Sequence, residues 1–305
     1  MLTDHSHFKT KDNIVFTTRG FYHPSGYIRA IPLYKNYIER EGLEKSVDEF
    51  GDIWLSKIHP EYIKNSSLSA GILVPFPDIS RVYDPFNASG IIKDLQDPIG
   101  NKIINFLLCI GIDESDIGFL GSYLIDTGHK PRDIDFIIRG LKNLSLIKGN
   151  FNDLLKKISG VNYPPEEYVE SALTRYENKY NKEFNSFREI IQRRWPTINV
   201  PKRFFGKLRF TYKREEVPPL ELPLGQKIPD ISLTGRVIED TGTSFMPRNF
   251  VLSVEDKNIK VYTYFWDFAY CAKEKDVVSV RGDFFPESKM ILICNPKKHG
   301  VIIKR

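Results

Sequence analysis

The sequence predicts an α+β protein: a core with a mixed sheet over residues 1–216, a proline-rich linker at 217–230, and a small all-β barrel over 231–305. Strand-like and helix-like stretches alternate before the linker, whereas only short β-patterned runs follow it. The linker, VPPLELPLGQKIPD, holds four prolines and a glycine, the composition of a connection rather than of a core element. With 305 residues, 41% of them hydrophobic, the chain can bury a core without help from disulfides or metals.

Residues 13–35 read as two strands joined by a turn at His23-Pro24-Ser25-Gly26. Tyr37 to Asn65 mixes charge with aromatics and is expected to be partly helical, broken at Pro60. Leu68 to Val82 is apolar but holds two prolines, which favours an irregular extended segment. A helix is expected over Ile91 to Cys109, interrupted at Asp97-Pro98. Two apolar strands follow, Ile117–Leu124 and Ile134–Ile138, separated by a polar loop. Helical patterns cover 151–159, 166–180 and 184–194, the second entered through Pro164-Pro165 and the acidic pair Glu166-Glu167. Residues 204–213 read as a strand. Beyond the linker, strands are expected at 231–239, 250–255, 259–268, 276–284 and 290–294, with Gly282 placed where a barrel strand can kink. Five short strands in this space fit a small barrel such as an OB-fold.

No apolar run approaches the roughly 20 residues of a membrane helix; the longest, Ile103 to Ile112, contains Asn105. The N-terminal stretch lacks the apolar segment of a signal peptide. Cys109, Cys271 and Cys294 show no C-x-x-C spacing, so neither a disulfide frame nor a zinc ribbon is expected. A cytoplasmic soluble protein is the expectation.

The formal net charge of +5 is concentrated in one stretch. Between Arg188 and Arg214 lie Arg188, Arg193, Arg194, Lys202, Arg203, Lys207, Arg209, Lys213 and Arg214, opposed by Glu189 alone. Trp195, Phe204, Phe205, Phe210 and Tyr212 are interleaved with them. Cations and flat rings together suit phosphates and bases, so the stretch is a candidate nucleic-acid or triphosphate surface. The competing reading is a half-buried strand whose Lys and Arg face water.

The richest chemistry lies in residues 118–140, GFLGSYLIDTGHKPRDIDFIIRG. Asp133 and Asp135 are two apart on an expected strand and so share a face, while Ile134, Phe136 and Ile138 alternate toward the core. Side-by-side carboxylates repel unless a cation lies between them, and an all-oxygen site suits Mg²⁺ with substrate phosphates. Gly121-Ser122 ends the preceding strand, where a glycine lets backbone approach a phosphate and the serine hydroxyl can donate to it. Ten residues separate Ser122 from Asp133, enough for a connection that brings back a neighbouring strand.

Gly-Ser followed by Asp-apolar-Asp-apolar resembles the signature of the polymerase-beta-type nucleotidyltransferase superfamily. The chain is similar in particular to a group of uncharacterised predicted nucleotidyltransferases best known from archaea. Segments like Phe21-Tyr-His-Pro24, Pro32-Leu-Tyr34, Val237-Ile-Glu-Asp240 and Phe245-Met-Pro247 carry the resemblance toward both ends. It implies an α/β nucleotidyltransferase core in which Gly121 and Ser122 hold a nucleoside triphosphate. It also implies that Asp133 and Asp135 ligate two Mg²⁺ ions, for which Mn²⁺ can substitute, during displacement at the α-phosphorus. Members usually add a third carboxylate from a later strand. The strand Phe204 to Lys213 holds no acid, and Glu215 and Glu216 lie just past its end.

An RNA or DNA acceptor is expected from the barrel and the basic stretch, in which Arg193, Arg194, Lys202, Arg203, Lys207 and Arg209 are the candidate contacts. Two alternatives stay open: an inactive nucleic-acid-binding protein on the same fold, and nucleotidyl transfer onto a protein hydroxyl. Other residues carry weaker signals. His5 and His7 fall in a terminal stretch expected to fray. His23 reads as a turn residue, His129, Lys130 and Arg132 as loop residues beside the carboxylates, and Glu239, Asp240 and Asp283 as turn and barrel-rim residues. Cys109 reads as a small core residue.

Overall fold

The computed structural model describes residues 2–38, 42–45, 52–65, 70–87, 97–125, 134–200, 204–295 and 297–304. The chain divides into two compact units. One comprises Met1–Trp54, Leu73–Pro165 and Trp195–Pro218, the other Leu55–Ile72, Glu166–Arg194 and Pro219–Arg305.

The chain opens with β1 (His7–Thr10) and β2 (Val15–Thr18), an antiparallel pair turned at Asn13, whose φ is 62°. Phe8 and Phe16 stack in this hairpin with ring centroids 5.4 Å apart, and both are fully buried. β3 (Tyr27–Ile38) returns antiparallel to β2 after the expected turn, where the Arg29 N–H donates to His23 Nδ1 at 3.2 Å. β4 (Gly42–Lys45) pairs with β3. After α1 (Asp52–Ile58), β5 (Ile63–Asn65) and β6 (Ala70–Pro75) form a short antiparallel pair, and β7 (Ile79–Tyr83) joins β1.

The mixed sheet comes next. α2 (Pro98–Cys109) begins, rather than breaks, at the Asp-Pro pair: the Asp97 carboxylate accepts from the N–H groups of Ile99 and Gly100, each at 2.9 Å. Proline suits the first helical position because its missing N–H would have no partner there. The expected turns 91–96 lie outside the described residues. β8 (Ile117–Phe119), α3 (Ser122–Ile125) and β9 (Asp135–Arg139) follow, then α4 (Leu141–Lys157). β10 (Thr197–Val200) and β11 (Phe204–Thr211) complete a sheet of order β10-β11-β9-β8. β9 is antiparallel to β8 and parallel to β11. Its hydrophobic face carries Phe119, Phe136, Ile138, Leu208 and Phe210, all buried.

The second unit is built around a closed barrel. Its strands are β12 (Ile228–Glu239), β13 (Arg248–Val254), β14 (Lys257–Thr263), β15 (Val277–Phe285) and β16 (Met290–Ile293). They run β12-β13-β14-β16-β15, and β15 closes back on β12. Only the β14–β16 pair is parallel. β17 (Gly300–Lys304) adds to β15. At Gly282 a Cβ would stand 2.6 Å from both the Leu292 carbonyl and the Ile291 side chain, so only glycine allows β15 this close to β16.

Two helices belong with the barrel. α5 (Glu166–Lys179) and α6 (Phe187–Gln192) place Val169, Ala172, Phe187, Ile190 and Ile191 in one core with Leu252, Val261, Val280 and Ile291. The boundary drawn at 217–230 therefore separates the barrel strands from helices that share their core. The sequence offers no sign of this, because the linker is the only strong break in composition.

A buried ionic network ties these helices to the barrel. The Asp267 carboxylate accepts from Lys179 Nζ and the Tyr180 hydroxyl, both at 2.7 Å. Arg194 donates to the Tyr176 hydroxyl and the Asp267 carbonyl, its guanidinium 5.0 Å from the Tyr176 ring centroid. Burial alone would raise the Asp267 carboxyl, but Lys179 and Arg194 beside it hold it well below the usual carboxylate range.

Candidate functional site

The strand expected over Ile117–Leu124 ends at Phe119; Gly121 stands in the turn that follows β8, and Ser122 is the first residue of α3. Gly121 has φ +65° and a Cβ there would meet nothing closer than the Tyr34 hydroxyl at 3.9 Å, so glycine is required by backbone angle and not by space. The Leu120 N–H donates to the Asp135 carbonyl at 2.9 Å, which fixes the turn beside the first residue of β9. Asp133, Lys202 and Arg203 lie outside the described residues, as do His129, Lys130 and Arg132. Ile134, Phe136 and Ile138 are buried as the alternation requires.

Asp135 faces a cation. In the parallel pairing of β9 with β11, Lys207 lies in register with Asp135, and Arg209 falls two residues further along the same face. Arg209 Nη2 is 3.7 Å from Asp135 Oδ2, with the side chains 24% and 27% exposed. At this exposure the pair contributes little to stability, about 0–1 kcal/mol, but it fixes the sign of the charge that β11 presents. β11 is the strand expected to bring a third carboxylate. Glu216 does not supply it: its carboxylate accepts from the N–H groups of Leu141 and Lys213, each at 3.0 Å at the closest, and so caps the start of α4. Glu215 is exposed.

The same turn is held by a residue that sequence reasoning assigned to a frayed end. His7 sits buried on β1, and its Nε2 accepts the Gly121 N–H at 3.2 Å. Its Nδ1 lies 3.0 Å from the His5 carbonyl, so Nδ1 carries the proton and donates it there. Burial pushes the His7 imidazole down to about 4, and Arg209 nearby pushes the same way. The signal was present in the sequence: Phe8, the turn at Asp12-Asn13 and Val15-Phe16 make a hairpin that carries His7 into the fold.

His7 is neutral when folded, whereas the unfolded chain protonates it near pH 6.5. Between about pH 6.5 and 4 the unfolded state binds more protons, so stability falls as pH falls. Each such histidine contributes about 2 kcal/mol of loss between pH 7 and 5. His23, also lowered to about 4 by burial, adds to the slope. We expect urea midpoints to drop over this range, and to drop less in His7→Gln, which keeps an acceptor for Gly121 but cannot titrate. An equal drop in the two proteins would remove His7 from this account.

The basic stretch is divided between the two units, and several of its cations are paired. Arg188 pairs with Glu166 and Glu170, each at 2.5 Å, and Arg193 with Asp276. Arg194 is enclosed in the Asp267 network, and Lys213 lies 2.6 Å from the buried Asp116. Arg193 and Arg194 are thus engaged with partners inside the barrel unit. Lys207 and Arg209 belong to the other unit.

Among the described residues, Asp230, Asp283 and His299 have the spacing of a metal cluster. Their hydrogen bonds argue for internal compensation. His299 Nδ1 accepts from the Cys294 and Asn295 N–H groups at 3.1 and 3.2 Å, so the proton sits on Nε2, 3.2 Å from Asp230 and 3.5 Å from Asp283. A protonated nitrogen is not a ligand. Lys227 lies 3.0 Å from Asp283 and Lys298 3.6 Å from Asp230, and burial pushes the Cys294 thiol up to about 12. Asp283, expected as a barrel-rim residue, is buried within β15.

No helix among the described residues is long and apolar enough to cross a membrane. The chain matches no family model, no curated protein and no solved structure.

Proposed function

We propose that the first unit binds a nucleoside triphosphate at the β8–α3 turn and transfers its nucleotidyl group to an acceptor hydroxyl. The observation that carries this reading is the left-handed Gly121-Ser122 turn, joined through Leu120 to a β9 strand that begins with Asp135. A glycine turn followed by an adjacent antiparallel strand bearing the carboxylate is the arrangement the superfamily resemblance calls for. In the transfer, the acceptor oxygen forms a bond to the α-phosphorus, the bond to the bridging oxygen breaks, and pyrophosphate departs with that electron pair. The acceptor proton passes to solvent.

The donor set tests the expected metals. Asp133 and Asp135 would suit one Mg²⁺, which supplies charge stabilisation for the phosphates when bound. The second ion of the expected pair finds no carboxylate on β11, where Lys207 and Arg209 stand instead. Among the described residues, the donor set therefore does not fit a two-ion centre. Gly121 positions backbone near the phosphates, Ser122 offers its hydroxyl, and Arg209 offers a permanent positive charge.

The barrel supports a nucleic-acid acceptor. Numbering its strands from β12, the order is first, second, third, fifth, fourth, with the third and fifth parallel, which is the order of an OB-fold. That support is by analogy of fold. The paired arginines of the basic stretch add nothing to it. A second reading, a triphosphate- or nucleic-acid-binding protein without turnover, is favoured by the Arg209–Asp135 contact and by the engagement of Glu216 at α4.

Incubation with Mg²⁺, each α-labelled nucleoside triphosphate in turn, and cellular RNA, DNA and protein decides between them. Transfer predicts label in one acceptor class. Silence with every nucleotide and acceptor, alongside retained triphosphate binding, would establish the second reading.

A further inference from the structure

We propose that residues 219–225 form a strap over the outer face of the barrel, where Glu221 occupies a site for single-stranded nucleic acid and competes with its phosphates. This rests on the nucleic-acid acceptor reading and adds to it a binding face and the segment that gates it. β13 and β14 pair so that Phe250, Leu252, Ile259 and Val261 fill the barrel core. The alternation turns Asn249, Val251, Ser253, Asn258, Lys260 and Tyr262 outward. None of these six is acidic. Lys260 and Tyr262, two apart on one strand, offer a cation for a phosphate and a ring for a base. The carboxylate on this face comes from the linker: Lys260 Nζ donates to Glu221 Oε1, and the Tyr262 hydroxyl donates to Oε2 at 3.3 Å. One side chain of the strap thus engages both groups that a nucleotide would use.

The strap is lightly held. Glu221 and Pro223 are half-buried while Leu220, Leu222 and Leu224 are exposed, so alternate side chains face the barrel and the apolar ones face water. A segment that served only to cover the barrel would turn its leucines inward and its acid outward; this one does the reverse. Residues 219–225 join no strand, and Pro219 and Pro223 have no N–H to give one. The Leu224 N–H donates to Ser288 Oγ at 3.2 Å, in the turn between β15 and β16. The Lys260–Glu221 pair, with side chains 44% and 37% exposed, is of the surface kind that adds little to stability. Lifting the strap therefore costs little, and a ligand that brings its own anion to Lys260 replaces the bond that Glu221 gives up.

Fluorescence anisotropy on the full chain tests this, with labelled oligouridylate and oligothymidylate over a salt series. Glu221→Gln keeps the shape of the side chain and is expected to bind about fivefold more tightly than wild type, the change in open fraction when a surface bridge is lost. Adding Lys260→Gln to that variant is expected to undo the gain and to reduce the slope of log K against log salt by about 0.7, the share of one single-strand phosphate contact. Adding Tyr262→Leu instead is expected to weaken binding at least about fivefold and leave the slope unchanged, as loss of a stacked ring does. The two oligonucleotides distinguish RNA from DNA as the ligand. Equal affinity of wild type and Glu221→Gln would overturn the competition. Unchanged affinity and slope in both double variants would overturn the face, and no binding of either oligonucleotide by wild type or Glu221→Gln would overturn the whole inference. Binding of labelled polyglutamate in place of both oligonucleotides would assign the face to an acidic protein segment and overturn the nucleic-acid ligand. Label entering RNA or DNA in the transfer experiment would leave the transfer reading standing in each of these cases.

Discussion

Asp135→Asn is expected to lower nucleotidyl transfer on the order of a thousandfold, the upper range for losing one group that stabilises transition-state charge. The substitution keeps the shape of the side chain and removes its charge. Asp135 opens β9 beside the Gly121 turn, so the lost charge lies where the site is expected to hold its cation. The effect on stability should be small. Asp135 and Arg209 are both about a quarter exposed, so Arg209 remains in contact with water when the charge is removed. A melting temperature close to wild type with transfer lost would therefore mark a functional group. Equal loss of both would mark Asp135 as a strut of the sheet and contradict the site. Asp133→Asn is expected to behave in the same way, from its place two residues earlier.

Asp267→Ala should give the largest loss of stability, about 3–5 kcal/mol, because it breaks a buried ion pair and leaves its cations uncompensated. Arg194 is held between the Tyr176 hydroxyl and the Asp267 carbonyl, and Lys179 reaches the Asp267 carboxylate. Asp267→Asn keeps the acceptor for Tyr180 and is expected to cost less than the alanine variant. The acid limb follows from the depressed carboxyl of the folded state. The unfolded chain begins to take up this proton near pH 3.9, so the contribution is complete above that value and is lost progressively below it. Chemical denaturation at pH 7 measures the first effect, and a shallower acid limb in Asp267→Ala checks the second. A loss below about 1 kcal/mol would place the pair in the class of surface bridges.

The barrel was the most legible part of the chain. All five expected strands occur, because each is a short β-rich run between turn signals and the linker sets the group apart. β17 escaped, being five residues long and ending in a basic cluster. β10 escaped because four residues between Pro196 and Pro201 read as a break. α4 begins ten residues before the expected helix at 151, since Asn143, Gly149 and Asn150 weaken its propensity while Leu144, Ile147, Phe151 and Leu154 bury its inner face. At the candidate site, Gly121, Ser122 and Asp135 were legible because their spacing is local. Arg209 was legible as a cation but its contact with Asp135 was not, and His7 was set aside for its position alone. Both are contacts between distant segments, which only the pairing of β9 with β11 and the packing of β1 reveal.

Equilibrium binding of the four nucleoside triphosphates to wild-type protein and to Gly121→Val tests the central claim most directly. Valine is branched at Cβ and strongly disfavours φ +65°, so the turn and its amide must move while the space around it stays open. The account predicts saturable binding of at least one triphosphate by the wild type, weakened at least about tenfold when the turn is displaced. No saturable binding at millimolar nucleotide, or equal binding by the two proteins, would contradict a triphosphate site at the β8–α3 turn.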